Sequence, residues 1–282
     1  MHFRRSTQAF TLIELLAVIG IMALIAALVG PTLTHFRQSD ATLSATRQML
    51  DAVARARQLA ISEHTTVYMV FVPTNFWEPN PNAFVAQMTP SQRAATTNVM
   101  GMQLTGYTFL SLHSVGDQPG RSTPRYLAPW QTLPDGAFIP IWKFSLATNF
   151  YYRISNQITG QYFDVGGFQI GFFPFPGEDA AFNQAPYAPV YVNLPFIAFN
   201  YLGQLAAGDG QALGHDEFIP LARGSVLALM DEHKIPVMVP PPVPPYGPQV
   251  HESPAWNSTN SFNLVRIDQL TGRARLERQE IQ

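Results

Sequence analysis

Ala9-Phe10-Thr11-Leu12-Ile13-Glu14-Leu15-Leu16 heads an apolar run that continues to Val29 and contains one charge, Glu14, and one other polar residue, Thr11. As a helix rising about 1.5 Å per residue, Phe10 to Val29 reaches roughly 30 Å, the thickness of a bilayer's hydrocarbon core. The residues before it carry His2, Arg4 and Arg5 and no acid. By the positive-inside tendency, Met1 lies in the cytoplasm and the chain beyond Pro31 on the other side. Ala23, Ala26 and Ala27 offer small residues for an ordinary signal-peptide cut after the run. Glu14 argues against that alternative, because a carboxylate within a membrane helix is expensive and is kept for a function that a plain signal or anchor lacks.

These residues resemble the processing motif of type IV prepilins. The resemblance implies cleavage by a prepilin peptidase between Ala9 and Phe10, N-methylation at Phe10, and pairing of Glu14 with the Phe10 amine of a neighbouring subunit in a filament. The family's usual residue before the cut is Gly, where this chain has Ala9. Gly30-Pro31 resembles the helix-kinking proline of many pilins, since proline removes a backbone hydrogen bond. The same pair reads equally as the end of a membrane helix.

The expected organisation is a leader over 1–9, a transmembrane helix over 10–30, an amphipathic helix over 31–64 and a β-rich globular periplasmic domain over 65–282. The fold class is α+β, with the long N-terminal helix packed on an antiparallel sheet as in pilins. Leu43, Leu50, Val53, Leu59 and Ile61 recur at near-helical spacing, which predicts that their stripe faces the core. Thr65 to Val72 is rich in β-branched and aromatic residues and reads as the first strand, ended by Pro73. From Thr74 to Pro129 prolines punctuate a stretch with few regular runs, in which Met102 to Leu112 reads as a strand. Phe262 to Ile267 and Arg273 to Leu276 predict a closing hairpin turning over Gln269 to Gly272. The Pro-rich loop over 236–248 contains Val239 to Pro248, which reads as an exposed polyproline-like insertion between two strands. It serves either as a contact arm or as a stiffened loop.

Three further pieces resemble the GspH/FimT-type minor pilins and pseudopilins: Leu133-Pro134-Asp135-Gly136, Ile197-Ala198-Phe199-Asn200 ending at Gly203, and Thr271-Gly272-Arg273. Asp135-Gly136 and Thr271-Gly272 also read as ordinary turns.

Composition sets aside other classes. The 282 residues carry a net charge of -2, which gives no basic surface for nucleic acid. With no cysteine, disulfides and thiolate-ligated metals are excluded. Gly166-Gly167 and Gly171 lack the Lys-Ser/Thr of a phosphate loop and read as a glycine-rich strand or turn. His215-Asp216-Glu217 and Asp231-Glu232-His233 lack metal-site spacing. No nucleophile elbow occurs. The sequon Asn257-Ser258-Thr259 is assigned nothing.

The functional expectation is therefore a structural subunit, a minor pilin or pseudopilin of a type II secretion or type IV pilus-like filament. It is not an enzyme and has no catalytic residue, metal or cofactor. It is anchored once in the bacterial inner membrane, with inner-membrane lipid around the helix before assembly. Its partners are the peptidase and other pilins or pseudopilins. The alternative is a membrane-tethered binding module for exported cargo or a surface ligand, which an exposed aromatic patch would favour.

Overall fold

The computed structural model of the chain describes residues 12–74, 88–113, 124–145, 152–155, 162–175, 190–230, 232 and 247–277, with the side chains of 26–40, 91, 152–155, 162–164 and 190 outside that description. The chain divides into two compact units, Met1–Asp40 and Ala41–Gln282. The first helix, α1, spans Leu12–Ser62 and continues through Gly30 and Pro31, so the helix does not end at that pair. The leader and the cleavage pair Ala9 and Phe10 lie outside the described residues.

In the second unit, α1 buries Ala45, Met49, Ala52, Val53, Ala56 and Ala60. Their spacing of three and four residues puts them on one helical face. The expected leucine stripe is therefore rotated: Val53 is buried, Leu50 and Leu59 flank the core, and Leu43 faces solvent. Alanine wins the inner face because small side chains let a helix backbone lie close to the aromatic side chains of a sheet. The helix stops where it was expected to. His64 adopts a left-handed conformation (φ 48°), and the Thr65 N–H donates to the Ala60 carbonyl at 3.3 Å. That six-to-one bond satisfies a carbonyl left over at the helix end.

Among the described residues, fourteen strands follow α1. They are β1 (Val67–Phe71), β2 (Gly106–Ser111), β3 (Arg125–Tyr126), β4 (Gln131–Thr132), β5 (Ala137–Phe138), β6 (Tyr152–Ser155), β7 (Tyr162–Val165) and β8 (Gln169–Phe175). After them come β9 (Val190–Phe199), β10 (Leu205–Ala206), β11 (Glu217–Leu227), β12 (Gln249–Glu252), β13 (Asn263–Ile267) and β14 (Ala274–Glu277). All the pairings are antiparallel. The first sheet runs β10-β9-β1-β2-β3, with β4 also on β2 and β8 also on β9. The second runs β12-β11-β13-β14, with β5 on β11, and β6 and β7 form a separate ribbon.

Strand β1 is buried at every position, which explains why VYMVF is uniformly apolar instead of alternating. Val67, Met69 and Phe71 join the main core with α1, β9, β11 and β13, whereas Tyr68 and Val70 join a second core on the opposite face with Phe173, Phe175 and Phe196. A helix absent from the sequence reading, α2 (Pro90–Met100), contributes Val99 and Met100 to that second core. Thr89 caps it: its hydroxyl accepts from the Gln92 N–H at 3.3 Å, and Gln92 Oε1 accepts from the Thr89 N–H at 2.9 Å. Pro90 occupies the first turn, where no amide hydrogen is needed. Thr89→Ala is expected to lower stability by about 1 kcal/mol, read as a lower urea midpoint. An unchanged midpoint would show that the reciprocal cap does not hold α2.

The strand expected from Met102 begins later, at Gly106, because residues 101–105 form a turn in which Leu104 is left-handed (φ 63°). The Pro-rich stretch lies largely outside the described residues. It connects β11 to β12, which pair from Gly224↔Glu252 to Leu227↔Gln249.

Candidate functional site

From Leu12 to Ile25 the side chains of α1 are exposed on every face, from 83% for Leu12 to 48% for Val18. A helix that is apolar and exposed all round is built to be buried in something else. Glu14 stands in the first turn of this helix, where the dipole favours an acid. It is also the only charge between Leu12 and Val29. Among the described residues, no helix is long and apolar enough to cross a membrane. The apolar run begins at Phe10, before the first described residue.

The three motif pieces in the globular unit come out as turns, two of which meet. Gly136 (φ 94°) leads into β5. After β9, the Asn200 side-chain oxygen accepts from the Leu202 and Gln204 N–H groups at 3.1 and 3.0 Å, closing a turn at Gly203. Between β13 and β14, Asp268 Oδ1 accepts from the Leu270 N–H, the Thr271 N–H and the Thr271 hydroxyl at 3.1, 2.8 and 2.8 Å. The side-chain bond from Thr271, then its backbone bond, hold the Asp268 carboxyl below the usual carboxylate range. The turns touch so closely that a Cβ on Gly272 would lie 2.1 Å from the Gly203 carbonyl oxygen. Arg57 of α1 clamps them, its Nε donating to the Thr271 carbonyl at 2.7 Å. Tyr201, Leu202 and Leu270 at the tips are 56%, 58% and 67% exposed.

Asp231 and His233 lie outside the described residues, and the other chemical candidates are absorbed by structure. Asp216 binds Arg266 at 2.6 Å and accepts from the Gln269 N–H, while Glu217 faces inward to Lys143. Neither is presented to a metal, and among the described residues no group of three metal-ligating side chains occurs. Gly171 lies within β8, as read, and the Gly166 carbonyl accepts from Lys143. Asn257 of the sequon is buried in the four-residue helix α3 (Asn257–Asn260), and its side chain bonds the Arg223 N–H and carbonyl.

The sequence reading missed a buried ion pair. Lys143 lies in a short 3-10 turn (Ile141–Phe144) and is fully buried. Its Nζ contacts Glu217 Oε1 at 2.5 Å, donates to the Gly166 carbonyl at 2.8 Å and sits 4.5 Å from the centre of the Phe168 ring. Burial pushes the Lys143 pKa down, and Glu217 opposes that shift. It also missed an exposed aromatic pair, Phe172 of β8 stacked on Tyr191 of β9 with centroids 5.2 Å apart.

The prokaryotic N-terminal methylation motif matches residues 4–30. The chain therefore carries the signature of the processed, methylated N-terminus that the opening octapeptide resembles, and the match is consistent with a type IV pilin or pseudopilin. The match ends within α1, so the globular unit stands outside it. No curated protein and no solved structure matches the chain.

Proposed function

We propose that this chain is a structural subunit, a minor pilin or pseudopilin of a type II secretion or type IV pilus-like filament, and of the GspH/FimT-type branch. The observation that carries the reading is the exposed apolar helix with its single carboxylate, inside the matched methylation motif. In this reading a prepilin peptidase cuts between Ala9 and Phe10, and the helix is held in the inner membrane with the globular unit in the periplasm. Sister pilins or pseudopilins then replace lipid around the helix. Once buried, Glu14 needs a cation, because an unpartnered carboxylate in an apolar bundle is strongly unfavourable. The new amine at Phe10 of a neighbour supplies it. The subunit performs no chemical step and holds no cofactor.

The branch assignment draws on the Gly136, Gly203 and Gly272 turns falling where its motif pieces are expected. The second reading, a tethered binding module, draws on the exposed Phe172–Tyr191 stack.

The test is N-terminal mass spectrometry of the chain from its host, with Glu14→Ala beside wild type. The expected wild-type product starts at N-methylated Phe10. Glu14→Ala is expected to be cut equally well and to lose at least about tenfold in assembly, the equivalent of one buried pairing of about 1.4 kcal/mol or more. An intact Met1, or a cut near Ala26 or Ala27, overturns the reading.

A further inference from the structure

We infer that the end of the globular unit at which α1 enters it is a lipid-binding seat, with Leu227, Met230 and Trp256 resting in the headgroup layer of the bilayer that holds the chain's apolar helix. The inference rests on the filament reading for the presence of that bilayer. Three segments meet at this end. Gly136 lies against Ala41 of α1, where an added Cβ would stand 3.2 Å from the alanine Cβ, and its carbonyl accepts from the Gly224 N–H at 3.0 Å. Three residues earlier on β11, Leu221 pairs with Asn263, whose side chain donates to the Thr46 hydroxyl at 3.1 Å. Strand β11 therefore runs beside α1 from Thr46 toward Ala41. It continues past Gly224 to Leu227, about 10 Å further at the usual strand rise. The Trp142 indole donates to the Ser258 carbonyl at 3.0 Å, which brings the 3-10 turn beside α3.

This end presents large apolar side chains to solvent. Leu43, Ile141, Leu227 and Met230 are 41% to 53% exposed, and Trp256 is 73% exposed. The Trp256 backbone is left-handed (φ 64°), a conformation that a bulky side chain rarely adopts. Its neighbours hold it there. The Asn257 side chain bonds both backbone groups of Arg223, and the Glu252 carboxylate accepts from the Ser258 N–H and hydroxyl. A strained residue fixed with its ring in solvent points to a use for the ring.

Chemistry and position together select lipid as the occupant. The segments 136–142, 224–230 and 253–263 contain no Asp, Glu, Lys, Arg or His. A protein partner is ordinarily met by a polar rim with complementary charges. A bilayer interface needs only apolar side chains, and it favours tryptophan, whose amphipathic ring settles at the headgroup level. Ala41 follows Val29, the end of the apolar run, by twelve residues, a reach of about 18 Å as helix. In the filament reading that tether keeps this surface at high effective concentration beside the bilayer, whatever angle the unit takes. The seat then holds the unit at the membrane until assembly draws the subunit away.

The test uses the full chain, purified from its host membrane and placed in vesicles of phosphatidylcholine brominated on its acyl chains. Because the sequence has no cysteine, Leu227→Cys carries a fluorophore at one site, and Leu202→Cys, in the exposed turn after β9, serves as the control. Both positions are exposed, and thermal unfolding confirms that each labelled variant is folded as wild type. Bromolipid is expected to quench the Leu227→Cys label several-fold more than the Leu202→Cys label. Trp256→Ser added to Leu227→Cys is expected to reduce that quenching several-fold. Equal quenching at the two positions, or no effect of Trp256→Ser, overturns the seat. A Leu227→Cys label that is shielded in proportion to protein density and not by bromolipid also overturns it, and assigns the surface to a second copy. N-terminal mass spectrometry of the same samples separates the two proposals. Chain starting at Phe10 with an unquenched label overturns the seat alone, and a quenched label on chain with an intact Met1 overturns the filament reading alone.

Discussion

Glu217→Ala is expected to lower the unfolding free energy by about 3–5 kcal/mol, because it leaves the Lys143 ammonium buried without its counter-charge. Lys143 has no exposed surface, and its other contacts, the Gly166 carbonyl and the Phe168 ring, carry no formal charge. The three partners tie the 3-10 turn to β11 and to the segment before β8, so the loss extends across the second sheet. Lys143→Met combined with Glu217→Leu is expected to lie near wild type or above it, since apolar side chains of similar size escape desolvation. Chemical denaturation of the three proteins reads both effects, and a loss below about 1 kcal/mol for Glu217→Ala would contradict the geometry. The pH dependence has a definite sign. Burial lowers the Lys143 pKa from 10.5, so between the lowered value and 10.5 the unfolded chain binds more protons than the folded one. Stability from this group therefore rises with pH across that window and is constant below it.

Gly272→Ala is expected to be nearly as damaging. At φ 61° an alanine costs about 1–2 kcal/mol through its Cβ. The added carbon would also lie 2.1 Å from the Gly203 carbonyl and 3.2 Å from the Phe199 ring. Neither neighbour yields easily, because Gly203 is pressed by Ile61 and Arg57 and Phe199 is core. A total loss of about 3 kcal/mol or more is expected, with the closing hairpin exchanging its amide hydrogens fastest. A melting point within a degree or two of wild type would show that the two turns can part without consequence for the fold.

Local chemistry made the ends of the chain legible. Thr65 to Val72 announced β1 by composition, and the residues from Gln269 to Gly272 announced the β13–β14 turn, because turn and strand preferences act over a few residues. The cap of α2 was also written locally, in Thr89, Pro90 and Gln92, but PSQRAATTNVM offers its core only Val99 and Met100 at one end, so no apolar period marked it. The helix face went astray for a related reason: Leu43 and Leu50 outweigh alanines on any hydrophobic scale, yet close packing on the sheet favours alanine. The Lys143–Glu217 pair and the Gly272–Gly203 contact join residues far apart in sequence, and nothing at either position names its partner. In the N-terminal segment, composition alone exposed Glu14 as the single charge in an apolar run.

The pairing of β1 bears on how the chain is made. Its neighbour β2 follows within the same stretch of synthesis, but Val67 pairs on its other side with Phe199, more than a hundred residues later. At a translation rate of about 5–20 residues per second, the strand waits on the order of ten seconds for β9. During that interval VYMVF is a short, uncharged, proline-free segment with one open edge, the composition that self-associates. Long-range closure of this kind also slows folding itself. Nascent chains of this protein are thus expected to depend on a holdase until β9 is available, and truncation before Val190 should leave an aggregation-prone fragment instead of a smaller folded unit.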